Sequence, residues 1–234
     1  MKKTLVITGG SKGIGRAAAQ LFLENGYSVV NLSRSGSELG GVTDIPVDLA
    51  REDWTQEWGR EVADAVKGSD RITVIHNAAM HQKDSIVGIE ADNFRRALQV
   101  NLVAPSQLNQ LLLPLMKPGS SILYLGSTLS EKAVPGSCSY VVSKHGVVGM
   151  MRSSCQDLSG TGIHTACICP GFTDTEMLRQ HLGDSEQVLR DIARSVTFNR
   201  LIRPQEIAET LYFCAERPVL NGALIHANLG QIES

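Results

Sequence analysis

Residues 8–15, Thr-Gly-Gly-Ser-Lys-Gly-Ile-Gly, constrain this chain more than any other stretch. They follow the apolar run Leu5-Val6-Ile7 and lead into Arg16-Ala17-Ala18-Ala19-Gln20-Leu21-Phe22-Leu23, whose apolar residues recur at helical spacing. The context is therefore strand, glycine turn, helix. Residues without side chains admit a phosphate to the backbone, and a helix opening behind them offers free N–H groups and the positive end of its dipole. A dinucleotide is the natural ligand. The spacing, Gly9-x3-Gly13-x-Gly15, differs from the Gly-x-Gly-x-x-Gly of the general dinucleotide fingerprint, and a strand-to-helix turn can demand glycine for geometry alone.

Beyond this turn, strands and helices alternate. The first helix is expected to end at Asn25-Gly26, and a second strand over 27–32 completes a βαβ unit, so the sheet is predicted to be parallel. A polar, glycine-rich loop over 33–41 precedes a short strand over 42–47. Trp54, Trp58, Val62 and Val66 form a core-facing stripe on a helix over 52–67. Further strands are expected over 71–77, 120–126, 162–169 and 223–227, with helices over 90–113, 138–158 and 204–216. Residues 173–200 are more polar and are expected to form short mobile helices over the site. The predicted fold is α/β: a single-domain, Rossmann-type, doubly wound parallel sheet flanked by helices over 1–234, with ligands at the carboxyl ends of the strands.

Composition narrows the partners. With 234 residues and 42% hydrophobic content the chain can bury one large core. Its net charge of −2 is spread among interspersed acids and bases, so neither nucleic acid nor an anionic membrane is expected as partner. No apolar run approaches membrane-spanning length, and Met1-Lys2-Lys3 passes into the first strand without a signal-peptide core, so a cytoplasmic location is expected. The five cysteines lack a pairing rhythm and suit reduced thiols; Cys167 and Cys169 should share one face of a strand, and no metal site is expected.

The predicted strand ends carry Thr8-Gly9, Ser33-Arg34, Asp48, Asn77, Ser127 and Pro170-Gly171. Tyr140 and Lys144, four apart on a helix, share a face, and an ammonium beside a phenol favours its phenolate form and fits it for general acid–base work. With Asn101 added, the set resembles the short-chain dehydrogenase/reductase family over essentially the whole chain. The matching features are Thr8-Gly-x3-Gly-x-Gly15, Asp48, Asn77-Ala78, Asn101, Ser127 ahead of Tyr140-x3-Lys144, and Pro170-Gly171 with Thr175.

The resemblance implies a catalytic set of Asn101, Ser127, Tyr140 and Lys144. Tyr140 would exchange a proton with the substrate oxygen while hydride passes to or from the nicotinamide, and Ser127 would hold that oxygen. Lys144 would tune Tyr140 and hold the nicotinamide ribose, and Asn101 would kink its helix and hold a water leading from Lys144 to solvent. The cofactor is expected to contact Gly9, Ser11, Lys12, Gly13, Ile14 and Gly15 at the turn. Asp48 and Leu49 are expected near the adenine, followed by Asn77, Ala78 and Ala79, then Tyr140 and Lys144, and finally Pro170, Gly171, Thr173 and Thr175. Two departures from the family pattern stand out: His76-Asn77-Ala78-Ala79 replaces the usual Asn-Asn-Ala-Gly, and the connection over 33–42 lacks the helix found in many relatives.

An acid at the end of the second strand would bind the ribose 2′-hydroxyl of NAD and repel a 2′-phosphate, whereas a base would pair with that phosphate. Here Asn31-Leu32-Ser33-Arg34 carries no acid until Glu38, and Lys12 adds a second positive charge. The expected cofactor is NADP(H), with Ser33, Arg34 and Lys12 around the phosphate. An NAD-dependent alcohol dehydrogenase and a non-catalytic NADP-binding sensor are the alternatives. On the substrate side, Phe172, Met177, Leu178 and Leu182 suggest an apolar lid, and Ser127, Thr128, Val134 and His81 line the expected pocket for a carbonyl or secondary alcohol. The resemblance also implies a homodimer or homotetramer built on the helices over 90–113 and 138–158.

Overall fold

The computed structural model describes residues 1–182 and 185–232, the side chain of Leu182 excepted. Apolar runs form seven strands: β1 (Lys3–Thr8), β2 (Ser28–Ser33), β3 (Val42–Pro46), β4 (Arg71–His76), β5 (Ser121–Leu125), β6 (His164–Pro170) and β7 (Ala223–Ala227). All pair in parallel, in the order β3-β2-β1-β4-β5-β6-β7. The inner strands are buried almost throughout because helices cover both faces, which is why they read as continuous apolar runs rather than alternating ones. Strand order reverses between β1 and β4, so the crevice above their carboxyl ends is the topological switch point where such sheets bind ligands.

The helices are α1 (Gly13–Glu24), α2 (Trp54–Ala65), α3 (Ala91–Leu98), α4 (Ala104–Leu112), α5 (Cys138–Asp157), α6 (Glu176–Leu182), α7 (Glu186–Arg194) and α8 (Pro204–Ala215). Side chains alternate across each strand, so Leu5 and Ile7 of β1 pack with Phe22 of α1 and Leu211 of α8, whereas Val6 joins Trp54, Leu108 and Met151 on the opposite face. Trp54 is 1% exposed and its indole N–H donates to Gln107 Oε1 at 2.7 Å, so the predicted stripe on α2 is core with its one polar atom satisfied. Asn25 caps α1, and Gly26, at φ 79°, turns the chain away in the left-handed region.

The stretch 90–113 is not one continuous helix. Between α3 and α4 it widens into a π-helical segment, Gln99–Val103, and it tightens to a 3-10 turn at Leu113–Leu115. The cause lies at Asn101, whose side chain is drawn off the helix to clamp the backbone of Met80: Met80 N–H donates to Oδ1 at 2.7 Å and Nδ2 donates to the Met80 carbonyl at 3.0 Å. Leu102, in the same wide turn, packs so closely on Gly146 of α5 that a Cβ there would lie 2.8 Å from it. Strand and helix ends otherwise fall within two residues of those expected. No described helix is long and apolar enough to cross a membrane.

Candidate active site

The glycine turn is built by close approach. A Cβ on Gly15 would lie 2.1 Å from the Gly9 carbonyl oxygen, and Gly9 and Gly13 take φ of 69° and 52°, where glycine alone is unstrained. Asn77 fastens the turn from β4: its Nδ2 donates to the carbonyls of Thr8 and Gly9 at 3.0 and 2.9 Å. Thr8 Oγ1 in turn accepts from the N–H groups of Asn77 and Ala78. No side chain caps the start of α1, so the partial positive charge of its first turn is left to the turn backbone, while Ser11 is half-buried and Ile14 packs against the core.

At the end of β2 a network that the sequence does not announce replaces the missing helix. Asn31 accepts from the Gly10 N–H at 2.7 Å and donates to Ser33 Oγ and Asp44 Oδ1 at 2.8 and 2.7 Å. Asp44 receives the Ser37 N–H, and Arg16 Nε donates to the Ser37 carbonyl at 3.2 Å. The irregular 34–41 segment is thereby pinned to the turn, with Arg34 exposed at its start. Lys12 is exposed in the turn. Its Nζ pairs with Glu176 Oε2 of α6 at 2.8 Å, a hydrogen bond and charge that raise the lysine above its ordinary value. Asp48 accepts from the Ala50 N–H at 3.1 Å, and Leu49 is buried in the core.

Three segments bring the candidate catalytic residues to the crevice. Ser127 follows β5 and caps the 3-10 turn Thr128–Ser130: its Oγ accepts from the Leu129 N–H, while its own N–H donates to Ser130 Oγ, both at 3.1 Å. Since Oγ only accepts there, its proton remains available to a group in the crevice. Gly126, just before it, lies over the thiols of Cys167 and Cys169, 4.0 Å apart on one face of β6; a Cβ on Gly126 would come within 2.6 Å of Cys169 Sγ. On α5, Lys144 is 3% exposed and its Nζ donates to the Leu125 carbonyl at 2.6 Å, tying the catalytic helix to the strand that presents Ser127. The same Nζ lies 5.4 Å from the centroid of the Tyr140 ring. Asn101 joins this group through Ser143, which accepts from its Nδ2 at 2.8 Å and donates to the Tyr140 carbonyl at 2.8 Å. Its direct partners are thus Met80 and Ser143, not Lys144.

Two histidines complete the site, only one of them anticipated. His81 stacks on Tyr140 with centroids 4.0 Å apart and planes at 20°, and His181 of α6 stacks on His81 at 3.8 Å and 22°. Burial, then the neighbouring His181 and Lys144, push His81 down to about 4 and keep it neutral. Phe172 and Thr128 are half-buried near the strand ends; Met177 and Val134 are 42% and 45% exposed. Helix α6 meets the site through the ion pair of Glu176 and the ring of His181; Leu178 is half-buried, and Leu182 lies outside the described side chains. Thr175 packs over the position of a Gly13 Cβ, Thr173 donates to the Gly171 carbonyl, and Gly171 fits against Asn228 with no room for a side chain.

A family model described as enoyl-(acyl carrier protein) reductase matches residues 9–231. The chain is 27% identical over 234 residues to carbonyl reductase family member 4 of Xenopus tropicalis, covering 96% of each chain. It is 30% identical over 227 residues to dehydrogenase/reductase SDR family member 6 of Aquarana catesbeiana, covering 91% of this chain and 89% of the relative. Among solved structures, a short-chain dehydrogenase family protein from Francisella tularensis subsp. tularensis SCHU S4 superposes with a TM-score of 0.89 at 28% identity over 99% of both chains.

Proposed function

The chain belongs to the short-chain dehydrogenase/reductase family of oxidoreductases, and from that premise we propose that it is an NADP(H)-dependent enzyme interconverting a carbonyl compound and a secondary alcohol. The observation that carries this reading is the placement of Tyr140 and Lys144 on α5 beside Ser127, with Lys144 Nζ tied to the Leu125 carbonyl at the end of β5. Tyr140 donates its phenolic proton to the carbonyl oxygen as that oxygen gains charge, and Ser127 donates a hydrogen bond to the same atom. Lys144 stabilises the phenolate left behind. Asn101 fixes the approach of α5 and the 77–80 segment through Ser143 and Met80.

When bound, NADPH supplies the hydride. No side chain caps the start of α1, so the backbone N–H groups of its first turn are the donors that would hold a phosphate. Lys12 and Arg34 favour a 2′-phosphate, and Ser33 is held beside Arg34 by Asn31. Val103 of the π-helical segment before α4 and Val142 of α5 are 43% and 45% accessible, and these helices are the faces through which the chain pairs with a second copy; light scattering reads that state. Turnover of a panel of ketones, aldehydes and quinones with NADPH or NADH tests the reading. Reduction with NADPH preferred, and a preference lost in Arg34→Ala, supports it; tight cofactor binding without any turnover would favour a sensor instead.

A further inference from the structure

The face of Tyr140 is covered by an imidazole that the reaction proposed above does not use. Tyr140, His81 and His181 come from three different parts of the fold, namely α5, the loop after β4 and helix α6, yet their rings form one stack at 4.0 and 3.8 Å with interplanar angles of 20° and 22°. The middle ring is firmly placed. His81 shares a 3.2 Å hydrogen bond with Ser137 Oγ, immediately before α5. Three residues further on, Asp84 clips the same loop to the helix start: its Oδ1 accepts the Ser139 N–H at 3.0 Å and its own N–H donates to the Gly136 carbonyl at 3.1 Å. Helix α6 therefore touches both ends of the crevice, pairing through Glu176 with Lys12 of the glycine turn and stacking through His181 on the ring that covers the phenol.

We propose that His81 is a positioning residue for Tyr140: it holds the phenol ring in its reactive orientation and passes the docking of α6, received through His181, to that ring. This inference rests on the reading of Tyr140 as the proton donor. The stack needs neutral imidazoles. Burial comes first among the causes that keep both rings unprotonated; His181 and Lys144 of α5 act on His81, and Lys83 of the loop acts on His181. Asp84 is the opposing charge. It is itself held below its ordinary value, because the hydrogen bonds from Ser139, Gln82 and Cys138 outweigh its burial. Protonation would set two imidazolium rings face to face beside two lysines, and the stack would part. A misplacement on the order of 1 Å at a reacting group costs up to about 100-fold in rate, so a ring that fixes the phenol is visible in kcat.

The test compares His81→Ala, His81→Phe, His181→Ala and His181→Phe in two ways. Hydrogen–deuterium exchange of residues 176–181 in the protein alone needs no substrate; both alanine variants are expected to speed it about tenfold, and both phenylalanine variants to keep it near wild type. The NADPH-dependent reduction of phenanthrenequinone is expected to lose about tenfold in kcat in His81→Ala at unchanged NADPH affinity, to be restored in His81→Phe, and to rise in KM in His181→Ala. Wild type is expected to lose kcat as pH falls, and the double phenylalanine variant to show no such acid-side fall. Unchanged exchange in both alanine variants, or a His81→Phe as impaired as His81→Ala, overturns the proposal. If His81→Ala does not fold, His181→Ala on the surface helix decides by exchange. Full activity in Tyr140→Phe would instead overturn the reading of Tyr140, whereas an inactive Tyr140→Phe beside a fully active His81→Ala defeats this proposal alone.

Discussion

At Gly15 an added methyl would lie 2.1 Å from the Gly9 carbonyl oxygen and 2.5 Å from Asn77 Nδ2. Gly15→Ala is therefore expected to lose about 1–3 kcal/mol of stability in urea melts, as overpacking does, and to weaken NADPH binding more than tenfold by fluorescence titration. Wild-type binding in that variant would mean that the turn is not the phosphate site. A second prediction lies away from the crevice. The Glu206 carboxylate is pulled from its ordinary 4.5 to about 2, first by hydrogen bonds from Arg200 and then by the Arg203 N–H. A depressed carboxylate contributes stability that is complete above its ordinary value and is lost as pH falls from there through about 2. The side chain is partly exposed, at 24%, and its arginine partners are more so, so solvent screens the effect to about 1 kcal/mol and salt shrinks it further. Urea midpoints between pH 4.5 and about 2 are expected to fall less steeply in Glu206→Gln than in wild type; parallel curves would refute the assignment. The glycines, Tyr140 and Lys144 were legible in the sequence because their geometry is local: a turn spacing and a four-residue helical step. The roles of Asn31, Asp44 and Gly126 were not, since each depends on a neighbour brought in by the fold.

Among the elements, the segment Gln99–Val103 and helix α6 differ most from what the sequence leads one to expect. Periodicity over 90–113 reads as one helix from Ala97, Ala104, Leu108 and Leu112, but inside the widened turn it is the polar Gln99 and Asn101 that are buried, and nothing in the local sequence says that Asn101 reaches Met80. Asn101→Ala strands the Met80 N–H and carbonyl, part-buried groups worth about 1–3 kcal/mol each when left unpaired. A thermal melt should show that loss, and an unchanged melt would mean that water replaces the clamp. Within the segment where Phe172, Met177, Leu178 and Leu182 suggest an apolar lid, Glu176 pairs with Lys12 and His181 stacks on His81, two polar residues in a stretch that offers no periodic signal for them. The Lys12–Glu176 pair is exposed, 64% and 57%, so it adds little to stability. If Lys12 receives the 2′-phosphate, Glu176 competes with it, and Glu176→Gln is expected to tighten NADPH binding by roughly two- to fivefold. NADH binding should stay the same. Equal changes for both cofactors would place the phosphate elsewhere.

For the molecule as a whole, the architecture follows from the alternation of buried apolar runs with amphipathic helices, and the order β3-β2-β1-β4-β5-β6-β7 sets one crevice at the ends of the central strands. That crevice gathers a glycine turn at one side and Ser127, Tyr140 and Lys144 at the other, distances in sequence that only a parallel sheet with crossovers brings together. The proposed chemistry therefore rests on motifs, whereas the wall around it does not: among the described contacts His181 stacks on His81 and His81 on Tyr140, across three elements. The central claim is that Tyr140 supplies the proton while hydride moves. It is tested most directly by single-turnover reduction of phenanthrenequinone with NADPH in wild type and Tyr140→Phe, with NADPH affinity measured in parallel. The account predicts a loss of about 10²–10⁴ in the rate of nicotinamide oxidation with NADPH affinity within about twofold of wild type, as loss of one hydroxyl at a separate step requires. An equal rate in the two proteins would contradict it.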